Sequence, residues 1–117
     1  MDDTELSRKV ALACGWTPEP CPVLPKTCDS VHAWRDAQGH IYLPTLAFAT
    51  SLDACFAPGG PVEYATHKDR AWFVALWPWT YAQVTTAKAF HDATDPNPAR
   101  ALCLAFLAAV EQEEKVG

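Results

Sequence analysis

The chain has 117 residues, of which half are hydrophobic and a fifth are charged, and its net charge is −5. This length and composition are typical of one globular domain, so we predict a single domain over residues 1–117. Its nine Lys and Arg residues are scattered, without the cationic stripe that nucleic-acid binding requires. No apolar run approaches the ~20 residues of a membrane span, and the acidic start is unlike a secretory signal. We therefore expect neither nucleic acid nor membrane as a partner, and a cytoplasmic location.

The first predicted element is a short amphipathic helix from about Asp2 to Cys14. Its apolar residues recur at helical spacing behind an acidic first turn, which suits the helix dipole, and Gly15 follows as a suitable C-terminal cap. The next segment, from Trp16 to Pro25, has four prolines within eight residues, which excludes a regular helix or a central strand. We predict an extended, stiff loop there.

A β-hairpin and a short helix are predicted in the middle of the chain. Two strand-like arms, residues 31–35 and 40–43, flank the polar connection 36–39, which ends in glycine as hairpin turns often do. Ser51 or Thr50 is then a suitable N-cap for a short helix that a Pro-Gly-Gly-Pro segment ends. The residues of this helix expected to face inward are Leu52, Cys55 and Phe56.

Strands and a long helix complete the predicted order. Segments 62–67 and 72–77, and part of 81–90, are rich in β-branched and aromatic residues. The apolar spacing from Cys103 to Val110 predicts a deeply buried helix with a proline in its first turn. Its candidate N-caps are Thr94 and Asp95. The predicted fold class is therefore α+β, with a mostly antiparallel sheet packed with helices.

The segment 71–79 carries the most information about function. Successive strand residues point to opposite faces, and here both sets are apolar. One set is Trp72, Val74 and Leu76, and the other is Phe73, Ala75 and Trp77. A sheet with one solvated face would have a polar second set. We therefore expect a helix layer, another copy of the chain or a ligand to cover the second face.

The order of these motifs resembles the phage ABA sandwich domain family of small phage proteins. In chain order, the motifs are Cys-Gly-Trp at 14–16, Trp-Arg-Asp-Ala-Gln-Gly at 34–39, Leu-Pro at 43–44, Thr-Ser-Leu-Asp at 50–53, the strand at Trp72 and the Ala/Leu-rich run at 99–110. The resemblance spans nearly the whole chain. It implies a phage or prophage origin and a helix–sheet–helix sandwich, and it implies no established activity.

Catalytic and metal-binding patterns are weak. Cys14, Cys21 and Cys28 are spaced seven residues apart, whereas structural zinc takes its ligands in closer pairs. None of the cysteines lies in a nucleophile motif, and Cys55 and Cys103 are expected to be small core residues. The sequence therefore predicts no catalytic residue, no metal and no cofactor, and the chain is not expected to be an enzyme.

The strongest candidate site is a pair of tryptophans with cations nearby. Trp77 and Trp79 flank a proline at a strand end, where full burial is difficult, so their indoles are expected to offer a stacking surface. Cationic residues lie near them in the sequence or face them across the predicted sheet. The predicted ligand-binding residues are Trp77, Trp79, His67, Lys68, Arg70 and Lys88. Stacking surfaces combined with cations suit a nucleotide-like ligand.

Two functions from different classes are consistent with these features. The first is a non-catalytic phage protein that sequesters a small host-derived ligand, such as a nucleotide-derived immune signal, in the host cytoplasm. Assembly into a homo-oligomer would suit this role, because pockets form readily between subunits. The alternative is a protein–protein interaction module of phage origin, which docks on a host or phage protein through its apolar strand face. A concave pocket at Trp77 favours the first function, and a flat patch favours the second.

Overall fold

The computed structural model describes residues 2–19, 33–36, 38–42, 46–67, 70, 72–77 and 80–116, with side chains up to residue 112. The helices are α1 (Asp3–Ala13), α2 (Leu52–Phe56), α3 (Pro61–Thr66) and α4 (Pro98–Val116). The strands are β1 (Thr17–Glu19), β2 (Ala33–Arg35), β3 (Ile41–Tyr42), β4 (Phe73–Trp77), β5 (Tyr81–Thr85) and β6 (Phe90–Thr94). Their order in the two antiparallel sheets is β1-β2-β3 and β4-β5-β6. The predicted α+β class is confirmed.

Helix α4 lies at the centre of the core. It packs against β5 and β6 on one side and against α1 on the other. A helix covered on two sides must be apolar around most of its circumference. Its buried residues accordingly include Ala101, Leu102, Cys103, Ala105, Phe106, Leu107, Ala109 and Val110. The predicted deep burial is confirmed. Within the described part of the chain, no helix is both long and apolar enough to cross a membrane.

Side-chain caps set where three of the helices begin. Asp2 and Ser51 cap α1 and α2, each by accepting a hydrogen bond from the backbone N–H three residues further on. At α4 the carboxamide of Asn97 accepts a hydrogen bond from a backbone N–H in the first turn, at 2.9 Å. The predicted caps Thr94 and Asp95 are therefore wrong. Thr94 is the last residue of β6, and the Asp95 side chain instead accepts a hydrogen bond from Asn97 N.

The segment 62–67 was predicted as a strand and is the helix α3. Pro61 occupies the first position, where its missing N–H costs nothing, and Gly60 precedes it as the N-cap. The helix buries Pro61 together with Ala65, which lies one turn later on the same face. The burial of these two residues stabilises the helix by more than the β-propensity of the segment favours a strand. The helical structure of this segment matters for function, because α3 forms one wall of a cleft described in the next section.

Turn and edge contacts explain the remaining strands. The predicted hairpin turn at 36–39 is confirmed, and Gly39 has a φ of +92° there. Only the first part of 81–90 forms β5, because Thr86 and Ala89 exchange hydrogen bonds across a tight turn and the chain reverses into β6. β1 was predicted as a loop. It is an edge strand beside β2, a position that tolerates Pro18.

Short α2 buries only one side of its single turn. Cys55 is fully buried as predicted, whereas Phe56 is 54% exposed, so its predicted inward orientation is wrong. Neighbouring residues of a helix point about 100° apart, and one turn of helix can present only one of them to the core. The predicted core position of Cys103 is confirmed.

Candidate functional site

A cavity of about 260 Å³ opens between α3, the end of α1 and the turn between β2 and β3. We call it the Arg70 cleft. Its lining residues are Cys14, Trp16, Gln38, Gly59, Glu63, Tyr64, His67 and Arg70. Its volume is near the lower end of the range for small-molecule pockets, which begins at about 300 Å³. Two predicted ligand-binding residues, His67 and Arg70, therefore lie in one cavity.

Arg70 is held on an aromatic platform. Its guanidinium carbon lies 3.6 Å from the centre of the Tyr64 ring, and its Nη1 donates a hydrogen bond to Tyr64 O at 3.2 Å. The Tyr64 ring in turn packs edge-on against Phe106 of α4, with centroids 5.7 Å apart. A guanidinium has five N–H donors, more than this hydrogen bond uses. The Tyr64 ring thus holds the Arg70 cation at the lining of the cleft.

Trp16 forms the opposite wall and joins distant segments. Gly15, with a φ of +86°, ends α1 as predicted and turns the chain so that Trp16 enters the core. The indole N–H donates a hydrogen bond to Gly59 O at 2.8 Å, and the ring stacks on Tyr42 with centroids 4.5 Å apart. Trp16 is only 5% exposed, so it serves as a rigid wall.

A buried carboxylate organises the β2–β3 turn beneath this wall. Asp36 accepts hydrogen bonds from Gln38 N (3.0 Å), His40 N (2.9 Å) and Tyr42 Oη (3.0 Å), and His40 Nδ1 lies 3.3 Å from its Oδ2. Burial by itself raises the pKa of Asp36, but the hydrogen bonds from His40, Tyr42 and Gln38 together outweigh it, so the pKa is lowered. The carboxylate is therefore ionised at neutral pH and holds Gln38 at the cleft edge.

The buried thiols are poor nucleophiles. Burial, followed by the neighbouring Cys55, raises the pKa of Cys14 to about 12, although Arg70 acts in the opposite direction. The Cys55 and Cys103 Sγ atoms lie 3.9 Å apart, and both thiols donate to Phe48 O. The hydrogen bond with Cys55, and then burial, raise the pKa of Cys103. Because the thiolate is the reactive form, the raised pKa values make Cys14 and Cys103 poor nucleophiles at neutral pH, and Cys55 is fully buried.

Alkylation measures this burial directly. We expect Cys14, Cys55 and Cys103 to stay unmodified when the native protein is treated with iodoacetamide at pH 7.5 for several minutes. All three should react once the protein is denatured, since unfolding exposes the buried thiols to the reagent. Peptide mass spectrometry assigns the modified positions, and rapid alkylation of native Cys14 would contradict the burial described for it. The other two cysteines lie outside the described residues.

The structure does not bring all of the predicted site together. Trp77 ends β4 and is half exposed, whereas Arg70 lies before the start of that strand. Lys88 lies in the turn that joins β5 to β6. This turn follows the cross-strand pair of Phe73 and Thr85, so Lys88 lies at the end of the sheet opposite Trp77. The length of β4 separates the two ends by about 13 Å. Two further predicted residues lie outside the described part of the chain: Lys68 and Trp79.

Trp77 lies on a second surface, the face of the β4-β5-β6 sheet opposite α4. We call this surface the open face. It consists of Phe73, Ala75, Trp77, Tyr81, Gln83, Thr85, Phe90, Asp92 and Thr94. Phe73, Trp77 and Phe90 are 66%, 50% and 61% exposed, so no described element covers these aromatic side chains. Trp77 therefore lies on the open face and is not among the residues that line the Arg70 cleft.

Sequence reasoning missed most of the cleft lining. Trp16, Gln38 and the adjacent pair Glu63 and Tyr64 come from three separate segments, and no spacing between these segments signals a site. One signal was available: Gly15 directly before Trp16 places an aromatic side chain at a helix end, where it can pack back on the fold. Among the described residues, no group of three or more His, Cys, Asp or Glu side chains is placed to hold a metal ion.

Comparison with known proteins gives no match to a protein-family model, to a curated protein or to a solved structure. The resemblance to the phage ABA sandwich domain family therefore stays a prediction from the sequence motifs. Two surfaces of the fold bear on the function of the chain. One is a small cleft with a stacked arginine, and the other is an exposed aromatic sheet face.

Proposed function

We propose that this chain is a non-catalytic binding protein of phage origin, which sequesters a small nucleotide-like ligand in the host cytoplasm. The ligand class would include nucleotide-derived immune signals. The observation that carries the proposal is the Arg70 guanidinium, stacked 3.6 Å above Tyr64 at the edge of a cavity of about 260 Å³. Binding without turnover lowers the free concentration of such a signal, and this is sufficient for a sponge.

The chemistry of the cleft is mixed, as a nucleotide requires. Arg70 can form charge-assisted hydrogen bonds with a phosphate, and its planar fork matches two phosphate oxygens. Glu63 and Gln38 line the same cavity and offer acceptors for amino or hydroxyl groups. The Glu63 carboxylate disfavours a ligand that carries only negative charge. A nucleotide, with both an anionic group and hydrogen-bond donors, suits this combination better than inorganic phosphate does.

Two features of the cleft support binding rather than turnover. Among the lining residues that the structure describes, Cys14 is the one thiol, and burial keeps that thiol protonated at neutral pH. Asp36, in the β2–β3 turn outside the lining, already accepts hydrogen bonds from the turn and from Tyr42, so it is committed to structure. Neither group is poised as a nucleophile or as a general base.

The test is titration of the protein with nucleoside monophosphates and cyclic dinucleotides, followed by calorimetry and thermal shift. We expect at least one of them to bind, and Arg70→Ala to weaken its binding at least tenfold, because a charge-assisted hydrogen bond is lost. Arg70→Lys keeps the charge and should be intermediate, since it loses the planar fork. Arg8→Ala, an exposed arginine of α1 outside the cleft, is the matched control.

Three results would count against sequestration. One is the absence of any thermal shift across the nucleotide panel. Another is an Arg70→Ala variant that binds as tightly as the wild type. The third is release of the bound nucleotide with an altered mass, which would indicate turnover rather than binding. Mass spectrometry of the ligand recovered after heat release distinguishes the third result from simple retention.

A protein–protein interaction module is the second candidate, because the open face exposes three large aromatic side chains. Large exposed apolar patches mark protein–protein interaction sites as well as ligand-binding grooves. If a host or phage protein binds there, affinity purification should recover one stoichiometric partner, and Trp77→Ala should lose it. We propose a homo-oligomer as well, and native mass spectrometry of the purified protein measures its copy number.

A further inference from the structure

We infer that a second cavity, distinct from the Arg70 cleft, binds a small neutral aromatic molecule. This cavity has a volume of about 300 Å³ and lies between β3, the segment 46–48 and the end of α2. We call it the Phe48 pocket. The inference rests on the composition of its walls, on the hydrogen bonds that these walls already make, and on its size. It does not depend on the function proposed for the Arg70 cleft.

The described residues that line the Phe48 pocket carry no charge. They are three aromatic residues, one leucine, one proline and three alanines. Trp16 and Phe48 are buried and form the floor, whereas Ala47 and Pro58 are exposed and form the rim. A ligand can therefore enter from solvent. An ionic ligand would lose its hydration there without meeting an opposite charge, so the walls favour a neutral one.

The polar side-chain atoms of these walls already have partners. The indole N–H of Trp16 donates a hydrogen bond to Gly59 O at 2.8 Å, and the Tyr42 hydroxyl donates one to Asp36 at 3.0 Å. Each of these groups has a single proton to donate. Both rings therefore offer the pocket an apolar surface rather than a free donor.

Backbone carbonyls around the pocket are bonded as well. Ala47 O accepts a hydrogen bond from Ser51 N at 2.9 Å, and Ala57 O accepts one from Gly60 N at 3.0 Å. Phe48 O accepts from two buried thiols. A water molecule held in a cavity needs about 2–4 polar partners, and these walls have few to offer. An apolar ligand that displaces such poorly bonded water gains affinity.

The rings of the floor favour a planar ligand. Phe48 meets Trp16 edge-on, with 5.2 Å between the ring centroids and 74° between the ring planes. A flat aromatic molecule that lies parallel to one of these rings presents its edge to the other. Stacked and edge-to-face arrangements are the two preferred geometries of aromatic pairs. The corner between the rings can therefore satisfy both at once.

The volume of the Phe48 pocket fits one or two aromatic rings. An apolar cavity of about 150 Å³ holds benzene, and this pocket is about twice as large. None of the large hydrophobic side chains that are at least half exposed in the described chain lines it. The apolar surface is therefore confined to the concavity. That favours a small molecule over a protein surface, which would bury about 800 Å² on each partner.

Calorimetric titration of the full chain with indole, a neutral two-ring compound, tests the inference. We expect one indole to bind per chain, with a Kd of about 100 μM. The binding enthalpy should become more negative on warming, because burial of apolar surface gives a negative heat-capacity change. The Kd should not rise with salt concentration, since no charge takes part. Indole-3-carboxylate and tryptamine, which are charged relatives, should bind at least tenfold more weakly.

Two variants fill the pocket. Ala54→Leu and Ala57→Leu each add bulk at the lining, and each should weaken indole binding at least tenfold. Ala89→Leu is the matched control, because it adds the same side chain at an exposed position of the β5–β6 turn, and it should bind indole as the wild type does. Circular dichroism checks folding. Ala54 and Ala57 are both partly exposed, and either folded variant is sufficient for the test.

A further variant tests whether the polar wall atoms are already committed. Tyr42→Phe keeps the ring and removes the hydroxyl, and it should bind indole within about twofold of the wild type, because that hydroxyl serves Asp36. A tenfold loss would show that the hydroxyl recognises the ligand and would overturn the account of an apolar site.

Three other results would overturn the inference. They are the absence of any binding heat with millimolar indole, filled variants that bind indole as tightly as the wild type, and charged relatives that bind as tightly as indole. Arg70→Ala should bind indole unchanged, and a loss there would place indole in the Arg70 cleft instead. Nucleotide binding is measured in separate titrations, so failure of the proposed function would leave the result with indole unaffected.

Discussion

Replacing Asp36 with alanine should cost about 3 kcal/mol of unfolding free energy, although the residue lies in a hairpin turn. The carboxylate is buried and accepts hydrogen bonds from two backbone N–H groups and from the Tyr42 hydroxyl. Alanine would remove the acceptor that these three donors share, and a hydrogen bond to a charged group contributes about 1.5–3 kcal/mol. Water can replace that acceptor only in part, because the exposed donors are those of Gln38 and His40. Urea denaturation of the wild type and of Asp36→Ala measures the difference.

The Asp36→Asn variant adds a test of charge. Asparagine can still accept from the backbone N–H groups, so a smaller loss of about 1–2 kcal/mol is expected at pH 7. Because the folded pKa of Asp36 is below the ordinary value of 3.8, its ionisation stabilises the fold above that value. This contribution is lost as the pH falls through the lower, folded pKa. The stability gap between wild type and Asp36→Asn should therefore narrow below pH 3.8, and a constant gap would contradict this account.

Adding one methyl group at Gly60 should destabilise the protein by about 3 kcal/mol. A Cβ there would lie 2.8 Å from Cys55 O, 2.9 Å from Ala54 O and 3.0 Å from Ala57 O. All three are backbone carbonyls, which cannot move aside as a flexible side chain can. The φ of Gly60 is −81°, so the penalty comes from overpacking between α2 and α3 rather than from backbone conformation.

Gly39→Ala is the control for this prediction. Gly39 has a φ of +92°, but a Cβ there meets no atom within 4 Å. It should cost only the left-handed conformational penalty of about 1–2 kcal/mol. Thermal and urea unfolding compare the two variants, and equal losses would contradict the crowding described at Gly60. Because α3 carries Tyr64, Gly60→Ala should also weaken any ligand binding at the Arg70 cleft.

Local patterns predicted the elements that local contacts stabilise. Helix α1, the cap at Ser51 and the glycine of the 36–39 turn depend on hydrogen bonds between residues a few positions apart. The strand β4 and the wide apolar surface of α4 follow from side-chain periodicity. Helix α3 was mistaken for a strand because its residues favour strands, while Gly60 and Pro61 impose a helix start.

The candidate site was only partly predictable, since it is made by distant contacts. The sequence predicted His67 and Arg70 as site residues, and both line the cleft. It paired them with Trp77, whereas the aromatic partner of Arg70 is Tyr64. That partnership depends on Tyr64 lying on a helix packed against Phe106, and a strand at this segment would have directed the ring elsewhere.

The α+β composition, the position of the longest helix and the apolar residues on both faces of β4 follow from the amino-acid pattern. Periodicity and capping are sufficient for these features, because they involve neighbours along the chain. The packing of distant elements determines that α4 covers one face of β4 and that aromatic side chains on the other face stay exposed. It also brings Trp16 to Gly59, 43 residues away, where the indole closes the Arg70 cleft. Such contacts depend on how whole elements pack, and no local pattern specifies that choice.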